Sequence, residues 1–136
     1  MLPPDLAALD PWAKARARWL LETVYHPTDP RPEQITITED DAWLIDLFLA
    51  GRGYGKTRIG AEDVSEYCRT HPGARYAGVF ETFADGRDVG VEGESGILAC
   101  VPPECVRDWN RSLGELIFTN GSRFDLYSSE RPDSLR

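Results

Sequence analysis

The sequence predicts an α/β domain built on a largely parallel sheet, with a helical arm in front of it. Residues 44–49 are apolar apart from Asp46, the pattern of a strand buried on both faces. That run breaks into the glycine-rich turn Gly51-Arg52-Gly53-Tyr54-Gly55, and residues 57–70 then carry helical spacing. A second short strand follows at Arg75–Phe80. Strand, turn, helix and strand in this order are what a parallel sheet with crossover helices requires.

Asp10-Pro11 predicts a helix start, with Asp as N-cap and Pro at the first helical position. Trp12, Ala15, Trp19, Leu20 and Val24 then form one apolar stripe, with Lys14, Arg16 and Arg18 off it. The stripe is most simply a core-facing helix; the alternative is a docking helix for a partner subunit. Residues 26–32, with three prolines, read as a linker, which divides the chain into an arm (1–32) and a main domain (33–136). In the helix over 57–70, Ala61, Val64 and Cys68 share a side, and Gly60 is expected to allow close approach to the sheet. His71-Pro72-Gly73 ends it. From Thr82 to Gly96 the chain is glycine-rich, a loop or an interrupted helix.

Residues 115–127 are a hairpin candidate around Asn120-Gly121. A two-residue loop would set Phe118 opposite Arg123 and mix the faces, whereas an odd loop puts Leu116, Phe118, Phe124 and Leu126 together. The expectation is therefore a three-residue loop over 119–121, with Gly121 left-handed in a bulge.

At 136 residues the chain is long enough for one domain. Its net charge of −8 argues against a large basic face that grips nucleic acid by phosphate neutralisation alone. Three cysteines (Cys68, Cys100, Cys105) are too few for a disulfide framework, and the odd count points to a reducing compartment. The Cys100 and Cys105 pair lacks companions at zinc-ligand spacing, so buried free thiols are the default. No apolar run reaches the roughly 18 residues of a membrane span.

The chemistry sits in the turn. A phosphate chain needs a dense set of backbone N–H donors, and Gly51, Gly53 and Gly55 remove the Cβ atoms that would block so close an approach. The Lys56 amine can reach β- and γ-phosphates, and the Thr57 hydroxyl can ligate a bridging Mg²⁺. Helix onset at Lys56 or Thr57 aims a positive dipole end at the same anion. A nucleoside triphosphate with Mg²⁺ is thus the expected ligand, in a P-loop NTPase of three layers. Ala50 stands where the general GxxxxGK[ST] pattern has its first glycine, which fits if residue 50 keeps φ below zero. The bland alternative is a glycine-rich turn in an ordinary α/β domain.

Several blocks occur together and in order: Leu49 to Glu62 around the loop, Val91 to Ala99, Pro102-Pro103, Asn120-Gly121, and Ser128 to Arg136. Through them, residues 34–136 resemble the ATPase domain of the large terminase subunit of tailed bacteriophages and prophages, the motor that packages DNA into the procapsid. The resemblance implies that Arg52, inside the loop, joins Lys56 in stabilising charge on the transferring γ-phosphate; a solvated or ion-paired arginine is the alternative. It implies that Gln34 contacts adenine and that Gly51, Arg52, Gly53, Tyr54, Gly55, Lys56 and Thr57 surround the nucleotide. It further implies double-stranded DNA, a portal protein, the small terminase subunit and a homo-oligomeric ring as partners of the full-length motor, in the host cytoplasm and transiently at the procapsid portal. Glu92 and Glu94 belong to the resemblance without a role in it.

A motor of this kind also needs an apolar strand ending in Asp-Glu, one to help hold Mg²⁺ and one to orient the attacking water. The sequence holds no such strand: Asp46 lies before the loop, and Asp125 is followed by Leu126 and Tyr127. The expectation is an ATPase domain incomplete on its C-terminal side, without the family's nuclease domain, that binds nucleotide without turnover. The alternatives are a non-catalytic nucleotide- or partner-binding remnant and, further off, another P-loop class such as a helicase or kinase.

Overall fold

The computed structural model describes residues 8–25, 49, 51 and 55–135. Its centre is a hairpin whose alternation sends every second side chain inward. β3 (Glu115–Phe118) and β4 (Arg123–Ser128) pair antiparallel with Leu116 opposite Phe124. They are joined by the three-residue loop that the face argument requires. The Gly121 N–H donates to the Phe118 carbonyl at 3.0 Å, the Phe118 N–H donates to Ser122 at 2.9 Å, and Gly121 is left-handed with φ 85°. Leu116, Phe118, Phe124 and Leu126 are accordingly all buried on one face, each worth about 1.5–3 kcal/mol of transfer free energy.

β1 (Arg75–Phe80) adds to the far side of β4 in parallel, and β2 (Val106–Asn110) pairs antiparallel with β3, giving the order β1-β4-β3-β2. The expectation of a largely parallel sheet is corrected here: among the described residues one pairing is parallel and two are antiparallel, because the hairpin and β2 follow one another through short turns rather than crossovers. The class is α/β with a mixed open sheet. Strand Arg75–Phe80 stands where the sequence puts it. Of the run 44–49 only Leu49 is described; it lies outside any strand with 84% of its side chain exposed, against the buried strand expected there. Residues 44–48 and the linker 26–32 lie outside the described residues.

The helices gather on the apolar face. α1 (Pro11–Tyr25) begins as predicted, Asp10 Oδ1 accepting the N–H groups of Trp12 and Ala13 at 3.0 Å. Trp12 and Trp19 are buried, and the Trp12 ring lies 5.0 Å from that of Phe118. Arg16 is buried with them, which corrects its placement off the stripe: positions 12, 16 and 19 follow the i, i+4, i+7 rule and share a face. α2 (Lys56–Thr70) buries Ala61, Val64 and Cys68, and ends in a turn where the His71 N–H donates to Tyr67 at 3.0 Å and Gly73 has φ 78°. It is tied to the sheet by Tyr76 Oη donating to Asp63 (2.7 Å) and Asn120 Nδ2 donating to the Cys68 carbonyl (2.7 Å). Gly60 does not provide close approach; it is exposed, and a Cβ there would meet nothing within 4 Å among the described residues.

The glycine-rich stretch is an interrupted helix: one turn, α3 (Phe83–Asp85), capped by Thr82 Oγ1 accepting from Asp85 N at 3.0 Å, runs into a π-helical turn, Gly86–Val91. Its glycines lie against aromatic rings. A Cβ on Gly90 would collide with the Phe80 ring, and one on Gly86 with Leu126 and Phe80. The short helix α4 (Ile97–Cys100) follows and packs on α2. The opposite face of the sheet mixes an ionic cluster, Arg123 donating to Asp125 (2.6 Å) and Glu115 (3.0 Å) and Arg75 to Asp125 (3.3 Å), with Ala77, Val79, Ile117 and Tyr127. Among the described residues this makes two layers, not three. Cys68 and Cys100 are buried free thiols, pushed up by burial to about 11 and about 12; Cys105 is half-buried. No helix among the described residues is long and apolar enough to cross a membrane.

Candidate functional site

The site forms where the turn becomes α2. Gly55, the residue before the helix, is left-handed at φ 88°, a conformation that strains any side chain with a Cβ. Lys56 is the first helical residue, so the N–H groups of Lys56, Thr57 and Arg58 fall among those a helix leaves without an internal partner. The first intrahelical bond runs from Ile59 N to the Gly55 carbonyl at 3.0 Å. The exposed start of α2 therefore presents backbone N–H groups that lie outside the intrahelical ladder, at the positive end of the dipole.

Lys56 turns back across this opening. Its Nζ donates to the Gly51 carbonyl at 2.9 Å. The two ends of the glycine-rich segment thus stand within one lysine side chain of each other, well short of the roughly 17 Å that five extended residues span. Gly51, Gly55, Lys56, Thr57 and Arg58 make one wall of a cleft of about 560 Å³.

The second wall comes from more than thirty residues downstream: Asp88, Val89, Gly93, Glu94 and Ser95. Gly93, Glu94 and Ser95 thus face the start of α2 across the cleft, and their turn is closed by Gly96 N donating to Gly93 at 2.9 Å. Glu92 points elsewhere. It accepts from Trp109 Nε1 (2.9 Å) and from the Arg111 guanidinium, whose hydrogen bond, with that of Trp109, holds its carboxyl below the usual range. Glu92 thereby pins the second wall to the turn between β2 and β3. Sequence reasoning left this wall unassigned; its one signal was the density of glycines that lets the segment fold tightly against Phe80.

Behind the first wall lies a buried carboxylate. Glu62, only 1% exposed, accepts from Arg58 Nε at 3.0 Å and Nη2 at 2.7 Å, and from Arg16 Nη1 at 3.5 Å. Burial pushes its carboxyl above the usual range, and the two arginines pull the other way. Sequence reasoning missed this group because an i, i+4 Arg–Glu pair on a helix ordinarily reads as a solvated surface pair.

Of the residues expected at the site, the structure brings Gly51, Gly55, Lys56 and Thr57 together on one cleft. Gln34, Arg52, Gly53 and Tyr54, with Ala50, lie outside the described residues. Thr57 is exposed at the helix start, its hydroxyl available to a metal that arrives with phosphate oxygens. Among the described residues no group of three or more Asp, Glu, His or Cys is placed to hold a cation by itself. Asp125 is committed to Arg123 and Arg75 in the ionic cluster of the sheet. Compared with protein-family models, curated proteins and solved structures, the chain finds no match in any of the three.

Proposed function

We propose that the chain binds ATP with Mg²⁺ through the loop 51–57, as the nucleotide-binding part of a P-loop ATPase of the phage large-terminase type. The observation that carries the reading is the left-handed Gly55 placed directly before a helix that opens with Lys56, whose amine already reaches back to Gly51. The loop carbonyl holds that amine in place, and a β- or γ-phosphate oxygen competes for it with a full charge in place of a dipole. Thr57 binds the Mg²⁺ that bridges those phosphates. Arg52 is assigned to the γ-phosphate and Gln34 to the adenine edge.

Turnover needs more than this. Phosphoryl transfer requires a carboxylate that orients the attacking water, and the sequence contains no Asp-Glu pair of the kind that supplies it. The chain as it stands is expected to bind without hydrolysing. The same reading carries packaging of double-stranded DNA, and contacts with a portal protein, a small terminase subunit and ring neighbours, as proposals from the family it resembles. Equilibrium binding of MgATP together with a phosphate-release assay tests it. Binding without release is expected; Lys56-dependent release would overturn the binding-only assignment, and no binding would overturn the whole.

A further inference from the structure

We infer that Glu62 is a positioning residue of this cleft, clasping the Arg58 guanidinium at the cleft wall while Arg16 of α1 closes its other side, so that the seating of α1 on α2 bears on nucleotide affinity. The inference rests on the nucleotide-binding reading above. Arg58 lines the cleft two residues after Lys56. Both of its contacts to Glu62, from Nε and Nη2, go to the single oxygen Oε1. One edge of the guanidinium is thereby fixed, and among the described residues Nη1 makes no hydrogen bond, which leaves that edge for a ligand. A planar guanidinium held in this way is suited to phosphate oxygens, which it binds with paired donors.

A surface pair at this spacing needs neither burial nor a third partner. Glu62 has both. Its second oxygen faces Arg16, which is itself buried and lies 4.8 Å over the Trp19 ring. Removing a carboxylate from water is costly, and apolar side chains of similar volume would hold two helices together as well or better. The helices already have another tie, Trp12 Nε1 donating to Ser65 Oγ at 2.7 Å. What the charged cluster adds is a fixed place for the Arg58 head group. It also links that place to α1, an element that does not itself line the cleft.

Calorimetric titration of MgATP into the full chain tests this through a cycle of Glu62→Gln and Arg58→Met, with Lys56→Ala as control. Arg58→Met is expected to weaken binding about tenfold. Glu62→Gln is expected to weaken it about fivefold in the wild-type background and not at all in the Arg58→Met background. Glu62→Asp, which keeps the charge on a shorter stem, should recover part of the loss. It also stands in for Glu62→Gln in the cycle if circular dichroism shows that the amide variant does not fold. Wild-type affinity in Glu62→Gln, or an equal loss with and without Arg58, would overturn the inference while leaving nucleotide binding intact. Absence of MgATP binding by the wild-type chain would instead remove the reading on which it rests, and the inference with it.

Discussion

The hairpin end of the molecule and the start of α2 are held by opposite means. Around β3 and β4, Leu116, Phe118 and Phe124 are almost wholly removed from water and the ring of Trp12 lies against that of Phe118. At the start of α2, Lys56 and Thr57 are exposed, and the ties are a lysine on a carbonyl and arginines on a carboxylate. Apolar burial is non-directional and large, whereas an exposed lysine on a carbonyl is directional and nearly balanced by hydration, and a buried arginine–carboxylate cluster loses most of its attraction to desolvation. The contrast teaches that stability is concentrated where no ligand is expected, leaving the cleft polar groups that can exchange a protein partner for a bound anion.

If that division is right, the two ends respond separately to substitution. Phe118→Ala should cost about 3–5 kcal/mol in denaturant unfolding, with unchanged MgATP affinity in the folded fraction; an affinity loss of similar size would show the ends to be coupled. Asp10→Ala removes the acceptor for the N–H groups of Trp12 and Ala13 and should cost about 1 kcal/mol, read as a lowered melting temperature. Lys56→Ala should change stability by less than about 0.5 kcal/mol yet abolish MgATP binding, the sharpest expression of the contrast.

A pH dependence of smaller size belongs to the second wall. Glu92 is held below its ordinary carboxylate pKa by hydrogen bonds from Arg111 and Trp109. Its contribution is therefore present above the unfolded value and is lost as pH falls through the lowered folded one. Glu92→Gln should flatten that acid limb of the stability profile. An unchanged limb would mean that the tie between the cleft wall and the β2–β3 turn adds nothing to folding.

The elements legible in the sequence were those whose signal is local. The Asp10-Pro11 start, strand Arg75–Phe80, the helix to Thr70 and the three-residue hairpin loop each follow from capping, alternation or turn chemistry within a few residues. β2 was not legible: Val106–Asn110 is short and largely polar, and its pairing is supplied by β3 rather than by its own pattern. The mixed sheet escaped for a related reason, since strand order depends on pairings that no single segment encodes. At the site, the Gly55-Lys56-Thr57 wall could be read directly. The wall of Asp88, Glu94 and Ser95, the burial of Arg16 and the clasp of Glu62 on Arg58 could not, because each depends on segments brought together from distant parts of the chain.

The central claim is that backbone N–H groups at the start of α2 receive a phosphate chain. Amide chemical shifts of the isotopically labelled chain, followed during titration with MgATP and separately with inorganic tripolyphosphate, test it most directly. The account predicts saturable changes for both ligands, largest at Gly55, Lys56 and Thr57 and absent in Lys56→Ala. Flat titrations, or changes concentrated elsewhere on the surface, would contradict it.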